Sequence, residues 1–279
     1  MADLSTEETK KLLAGVVIPP RPVVVTAVME ERGRDAPNLR RVAQLISGDV
    51  GLSAAVMKTI NSPLYGLRRQ ISSIDQAVNL LGMKNIGALV MGLALRNAVP
   101  SKGLDRFWDS AARTALVASH LAHTLGCADK EEAHLFGLFH DCGIPLLMQR
   151  FPNFRETLQL ANNASDRAFT DVEDSRHGTN HTVVGSLLAT NWHLPEHLRD
   201  AIRLHHDPNV FQSNHPSEVL NLIAIGHLAE HIENTFSRLS SDSEWDKIER
   251  SIMEQLMLSA DRLAELIRDA YELLEESGV

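Results

Sequence analysis

A chain of 279 residues with 44% hydrophobic and 23% charged side chains has the composition of a folded globular protein, with room for one large domain or two modest ones. That excludes collagenous, low-complexity and disordered classes. Its 27 Lys and Arg against 36 Asp and Glu give a formal charge of −9, and residues 17–100, with 10 basic and 5 acidic side chains, reach only +5. Such a charge is too dilute for a basic stripe, so nucleic acid is not the expected partner. Two cysteines, Cys127 and Cys142, cannot build a disulfide framework and fit a reducing cytoplasm. The uncharged run Asn85 to Leu95 has 11 residues, short of the roughly 20 that span a bilayer, so no membrane insertion is expected. The opening MADLSTEETKKLLAG lacks the apolar core of a signal peptide.

Helical periodicity begins after Pro22. Leu39, Val42, Ala43 and Ile46 recur at i, i+3, i+4 and i+7, and Leu52, Val56, Met57 and Ile60 repeat the pattern after the turn at Gly48-Asp49. Ile74, Val78, Leu81, Ile86, Leu89, Val90 and Leu93 continue it, with Asn61-Ser62-Pro63, Gly66 and Gly82 as punctuation. Residues 101–106 form a polar junction, short enough to predict docking of the flanking segments through a contiguous apolar interface. Beyond it the spacing predicts helices at Phe107–Leu125, Glu131–Gln149, Phe154–Asn162, Thr182–Trp192, Pro195–His206 and Val219–Glu233. Asn163 to Thr179 reads as a polar loop and Ser237 to Ser243 as a linker. Trp245 to Leu274 is a long acidic amphipathic stretch that folds back on its own chain, with a break near Leu258-Ser259, or else docks on a second copy or a partner. With 5% aromatic residues and little strand alternation, the expected class is all-α.

All 13 histidines fall between His120 and His231, so the two halves differ in chemistry. His140-Asp141, His181 and His205-His206 combine imidazole and carboxylate, the ligands that suit zinc, iron or manganese. Neighbours on a helix point about 100° apart, so His140 and Asp141 reach one site only near a helix end, which Gly143 and Pro145 suggest. The plainer readings are a mutual hydrogen bond within His140-Asp141 and a helix C-cap at His205-His206, where a cationic imidazolium would meet the dipole. His120, His123, His134, His193, His197, His227 and His231 belong to no motif and are expected on solvated faces.

The segment Phe136-Gly137-Leu138-Phe139-His140-Asp141-Cys142-Gly143 resembles the central motif of the HD phosphohydrolase superfamily. Further matches are Ile18-Pro19-Pro20-Arg21-Pro22, Asn61-Ser62-Pro63-Leu64-Tyr65-Gly66, Ile71 to Val78 and Leu81-Gly82. Together with Glu173, Gly178, Asn180-His181, Val184-Gly185, Trp192, Leu194-Pro195 and His205-His206, in that order, they resemble the HDOD family over roughly Val17 to Gln212. The resemblance implies an HDOD domain at 17–212, an N-terminal helical subdomain (17–100) packed on an HD-like helical bundle (107–212), followed by a C-terminal helical extension (213–279). It further implies a regulatory role in bacterial signalling.

Several positions depart from a working HD site. Where an HD enzyme carries its first metal-binding histidine stands Ser110, a poor ligand, and the lysine that often follows the His-Asp-x-Gly turn is Ile144. His205-His206 is followed by Asp207-Pro208-Asn209 instead of Gly-Tyr-Pro, and Glu230 is the counterpart of the closing aspartate. The candidate metal residues are therefore His140, Asp141, His181, His205, His206 and Glu230. The preferred expectation is a non-catalytic signalling module that acts through a protein partner, self-association or ligand sensing. Two alternatives stand beside it: a metal-dependent phosphohydrolase, and a sensor that binds a metal or nucleotide second messenger without turnover.

Overall fold

The computed structural model describes residues 15–62, 65, 67, 69–99, 103–238 and 243–277, and every regular element among them is helical. The N-terminal part comprises α1 (Val23–Arg32), α2 (Leu39–Ser47), α3 (Val50–Ile60) and α4 (Ile74–Ala98). Side-chain caps start three of these helices, with Asn38, Asp49 and Ser73 accepting the amides of Arg41, Leu52 and Gln76. Gly82 interrupts α4 at φ 73°, a left-handed backbone angle that glycine takes without strain, and the helix kinks there. At 25 residues α4 is long and apolar enough to cross a membrane by length and composition. Its Ala77, Val78, Ile86, Val90, Met91 and Leu95 are instead buried within the fold, against α1, α2, α3 and the later helix Lys130–Phe139.

The histidine-bearing part follows as α5 (Asp105–Leu125), α6 (Lys130–Phe139), α7 (Gly143–Arg150), α8 (Phe154–Asn162), α9 (Phe169–His177), α10 (His181–Asn191), α11 (Glu196–Leu204) and α12 (Ser217–Arg238). A single 3-10 turn, Val210–Gln212, separates the last two. α5 lies between α6 and α12, α11 bridges α10 and α12, and α7 crosses α10. That crossing is close because Gly143 has no side chain: a Cβ there would stand 2.1 Å from the His181 carbonyl oxygen. One apolar core runs through both parts of the chain, from Val25 to Leu274. Across it, Gly92 of α4 meets Leu138 of α6, and the Pro19 carbonyl accepts the Trp192 indole N–H at 3.1 Å.

Two sequence expectations are corrected here, and the expected fold-back of the C-terminal stretch with a break near Leu258-Ser259 is met. The run Glu131–Gln149 is two helices, α6 and α7, separated by the turn that carries His140, Asp141 and Cys142. Within the expected loop Asn163–Thr179 lies α9, whose Phe169, Val172 and Glu173 are buried while the rest of its surface is polar. Trp245–Leu274 is split into α13 (Ser243–Gln255) and α14 (Ala260–Ser277) by a break at Leu256 to Ser259, with Met257 at φ 52°. Both helices fold back on their own chain: Trp245, Ile252, Leu256, Leu263, Leu266 and Leu274 are buried, with α13 against α12 and α14 against α5 and α12. Pro63, Leu64, Gly66, Ser101, Lys102, residues 239–242 of the linker run and the first 14 residues lie outside the described residues.

Candidate metal centre

The turn between α6 and α7 sets His140 and Asp141 at a helix boundary, the one placement from which adjacent residues face a common point. His181 opens α10, and His205-His206 close α11. The six candidates converge in two overlapping groups. Asp141, His181, His205 and His206 bring one ligand atom each to within 4.8 Å of one another, and His140, Asp141 and Glu230 do the same, so Asp141 belongs to both. The histidines come from three parts of the chain that the α7–α10 crossing and the seating of α11 bring together.

Hydrogen bonds on the outer nitrogens fix what the inner ones offer. His140 Nδ1 donates to the Gly137 carbonyl at 3.0 Å and His205 Nδ1 to the Ile202 carbonyl at 2.9 Å. Because a carbonyl can only accept, both Nδ1 atoms carry the proton in the neutral ring and both Nε2 atoms present lone pairs. His181 Nδ1 lies 2.7 Å from Glu173 Oε2, which also accepts the His181 backbone N–H at 3.0 Å. His181 Nε2 stands 3.3 Å from Asp141 Oδ1 and 3.3 Å from His205 Nε2, and His205 Nε2 is 3.6 Å from the same oxygen. Three acceptor atoms thus face one another with no donor between them, an arrangement that a proton or a cation relieves.

The donor set fits a divalent ion. Ligands held about 2.1 Å from a tetrahedral centre lie about 3.4 Å apart, the range of the three separations above. Imidazole nitrogen with carboxylate oxygen suits zinc, iron and manganese, and the carboxylate behind His181 is the usual outer partner of a metal-binding histidine. Burial favours protonation of Asp141, but the surrounding His140, His205 and His181 outweigh it and hold the carboxyl well below the usual range. Burial holds His140 below the ordinary histidine value, and His205 well below it. At His181 burial acts in the same direction, yet Glu173 and Asp141 overcome it and the net shift is upward.

These placements correct several plainer readings. His140 Nε2 and Asp141 Oδ2 are 3.6 Å apart, so the two residues make no mutual hydrogen bond. His205 does sit at the α11 C-cap, but its burial keeps the ring neutral, so it does not act there as a cation. His227 and His231, expected on a solvated face, are not there. His227 is buried, pushed down to about 4 by burial first and by His206 next, and its Nε2 donates to the His205 carbonyl at 2.5 Å. His231 stacks on Trp245 with ring centroids 4.3 Å apart. His197 is half-buried beside Glu132 at 3.0 Å.

A cavity of about 440 Å³ opens over His140, Asp141, His206 and Glu230, with Phe107, Ser110, Arg106 and Arg155 among its walls. Ser110, at the position expected to hold a first histidine, donates to Glu233 Oε2 at 2.6 Å, and Arg113 holds the same carboxylate at 2.8 Å. Ile144 also lines the cavity, an apolar side chain in place of a cation. Two site residues escape sequence reasoning. Glu173 is visible only as a family-like residue within an apparent loop. Glu244, on α13, lies 3.3 Å from His206 Nδ1; burial raises its pKa, but His206 and Lys247 draw it down to about 2.

Comparison with known proteins agrees with this architecture. An HDOD domain protein of unknown function from Geobacter sulfurreducens superposes with a TM-score of 0.74 at 24% identity, covering 97% of this chain and 95% of that one. A protein provisionally named a phosphohydrolase from Shewanella amazonensis SB2B gives 0.73 at 23% identity, covering 97% and 94%. A third, from Marinobacter aquaeolei VT8 and provisionally named a signal transduction protein, gives 0.72 at 20% identity, covering 98% and 64%. At these identities the likeness establishes the fold. Among curated sequences, an uncharacterized protein of Treponema pallidum is 23% identical over 266 residues, 91% of this chain and 50% of the relative, so the chain spans about half that protein's length. The family model of the HDOD domain matches residues 18–208, well over half of the sequence, and the chain belongs to the HDOD family.

Proposed function

We propose that this chain is a bacterial signal-transduction module, working in the cytoplasm, whose HD-like centre takes a divalent cation and whose output passes through association with a protein partner or a second copy. The observation that carries the cation is the meeting of His181 Nε2, His205 Nε2 and Asp141 Oδ1 at 3.3 to 3.6 Å, with the outer nitrogen of each ring already committed. Asp141, His181, His205 and His206 would hold the ion. His140 and Glu230 flank it on the cavity side. Support for regulation without turnover comes from that side: Ser110 is committed to Glu233, and Ile144 sets an apolar side chain directly beside the His140-Asp141 turn. Arg106 and Arg155 in the cavity wall favour an anionic ligand, such as a nucleotide second messenger, as the sensed species. Two free cysteines, Cys142 buried and Cys127 half-buried, suit a reducing compartment.

The second reading is a metal-dependent phosphohydrolase, favoured by the way His140, Asp141 and Glu230 face an open cavity. A divalent ion held there supplies Lewis acidity to a bound phosphate ester. One set of measurements tests both readings: metal content and metal titration of the purified protein, then hydrolysis of phosphodiester and cyclic-dinucleotide substrates with manganese, iron or zinc. We expect stoichiometric binding that Asp141→Ala abolishes, and no turnover. Robust hydrolysis lost in the His140→Ala, Asp141→Ala double variant would establish the enzyme instead.

A further inference from the structure

His206 differs from the other three histidines in what holds its outer nitrogen. Gly137, Glu173 and Ile202 orient His140, His181 and His205, and all three lie within the family-matched span 18–208. His206 Nδ1 faces Glu244 Oε2 at 3.3 Å, and Glu244 stands in the first turn of α13, beyond that span. As at His181, a carboxylate sits behind the ring, here at contact distance instead of the 2.7 Å hydrogen bond that Glu173 makes. Phe169 stacks on the His206 ring at 4.9 Å between centroids and 9° between planes, which limits its swing and leaves Glu244 to set its rotation. Glu244 is itself fastened. It pairs with Lys247, whose ammonium also donates to the Arg167 carbonyl at 3.0 Å, just before α9. The next residue, Trp245, is buried and stacks on His231 of α12.

We infer that Glu244 is a positioning residue for His206, and that through it cation occupancy of the centre is linked to docking of the first turn of α13. This rests on the reading of the centre as a cation site. With Glu244 beside Nδ1 at 3.3 Å, the ring keeps Nε2 for the ion, and an ion on Nε2 in turn makes Nδ1–H a stronger donor that draws Glu244 into a hydrogen bond. Linkage is reciprocal: whatever factor Glu244 adds to cation affinity, the cation adds to the docking of α13. The C-terminal helices, packed on the core yet outside the family's common span, thereby gain a route by which the state of the centre reaches the protein surface.

Titration of the full chain with Zn(II) and Co(II) tests this on wild type, Glu244→Gln and Asp141→Ala, alongside hydrogen exchange of the α13 amides with and without metal. Outer-shell partners of metal ligands are typically worth about 10- to 100-fold in affinity, and we expect a loss of that size in Glu244→Gln, together with an altered Co(II) absorption spectrum. In wild type, metal should slow exchange in the first turn of α13. Metal affinity and Co(II) spectrum unchanged in Glu244→Gln, while Asp141→Ala abolishes binding, overturns this inference and leaves the cation site standing. Absence of metal binding in wild type overturns both. If Glu244→Gln does not fold, the wild-type exchange measurement decides alone, and indifference of α13 to metal overturns the inference.

Discussion

Replacing Glu173 by alanine removes one side chain and strands two buried donors. Glu173 is fully buried, and its Oε2 accepts both the His181 backbone N–H at 3.0 Å and His181 Nδ1 at 2.7 Å. The first of these is an amide in the opening turn of α10, which has no partner within its own helix. Each buried donor left without a partner costs about 1 to 3 kcal/mol, and removing one member of a buried charged pair costs about 3 to 5 kcal/mol overall. We expect Glu173→Ala to lose about 3 to 5 kcal/mol in urea unfolding with chelator present, a large share of the roughly 5 to 15 kcal/mol of a typical domain. Glu173→Gln, which keeps one acceptor oxygen, should lose about half as much. The deficit also depends on pH with a defined sign. His181 is held above its unfolded value, so the stability it contributes is complete below about pH 6.5 and is lost as pH rises through its folded value. The gap between wild type and Glu173→Ala should therefore narrow from pH 6 to pH 9. A deficit below about 0.5 kcal/mol, or one that widens with pH, would refute the proposed Glu173–His181 pairing.

Four further outcomes follow from the same geometry. Gly143→Ala places a Cβ 2.1 Å from the His181 carbonyl oxygen, a backbone atom that cannot turn aside, and should cost more than about 3 kcal/mol or prevent folding; near-wild-type unfolding would show that α7 and α10 do not cross this closely. Burial holds His227 and His134 down at about 4, so stability should fall as pH drops below about 6.5, by about 2 kcal/mol per group at pH 5, and the slope should flatten in His227→Gln when both are followed by urea unfolding in chelator. Truncation after Ser243 removes Trp245, Ile252, Leu256, Leu263, Leu266 and Leu274, each worth about 1.5 to 3 kcal/mol of burial, and uncovers the surfaces they pack on, so the truncated chain should lose soluble helical structure by circular dichroism; retention of a folded, soluble chain would place these helices outside the core. Ser110→His, with one ring nitrogen to Glu233 and the other toward the cavity shared with His140, Asp141 and Glu230, should tighten divalent-metal binding by calorimetry; unchanged affinity would place residue 110 away from the ligand group.

Much of the fold is legible in the sequence because its signals are local. Asn38, Asp49 and Ser73 announce helix starts within three residues of the amides they cap, and the i, i+3, i+4 spacing of α2 and α3 needs no distant partner to be read. The turn at His140-Asp141 is legible in part: Gly143 and Pro145 mark the boundary, although the apolar run across Glu131–Gln149 reads as one helix. α9 escapes because its buried stripe is Phe169, Val172 and Glu173, and an inward-facing glutamate looks like a solvent-facing one until its partner is known. That partner, His181, is close in sequence. Glu244 has no such advantage: it lies 38 positions after His206, in an acidic stretch where nothing local separates it from Glu249 or Glu254. Backbone signals are local, and the second halves of polar pairs are not.

Non-local pairing also dominates the energetics of the buried centre. His181 and Glu173 are fully buried, His205 is 3% exposed and His140 5%. A buried polar cluster of this kind is a poor way to gain stability, since well-packed apolar side chains of similar volume commonly do as well or better. It is poorer still where, with the rings neutral, acceptors meet without a donor, as Asp141, His181 and His205 do. The four-ligand group lies under a cavity whose wall carries Ser110 and Ile144, and two carboxylates stand behind its rings. The cation proposed above would give those facing acceptors the partner they lack. In this chain the helices that follow the matched span reach that group through Glu244, 3.3 Å from His206 Nδ1.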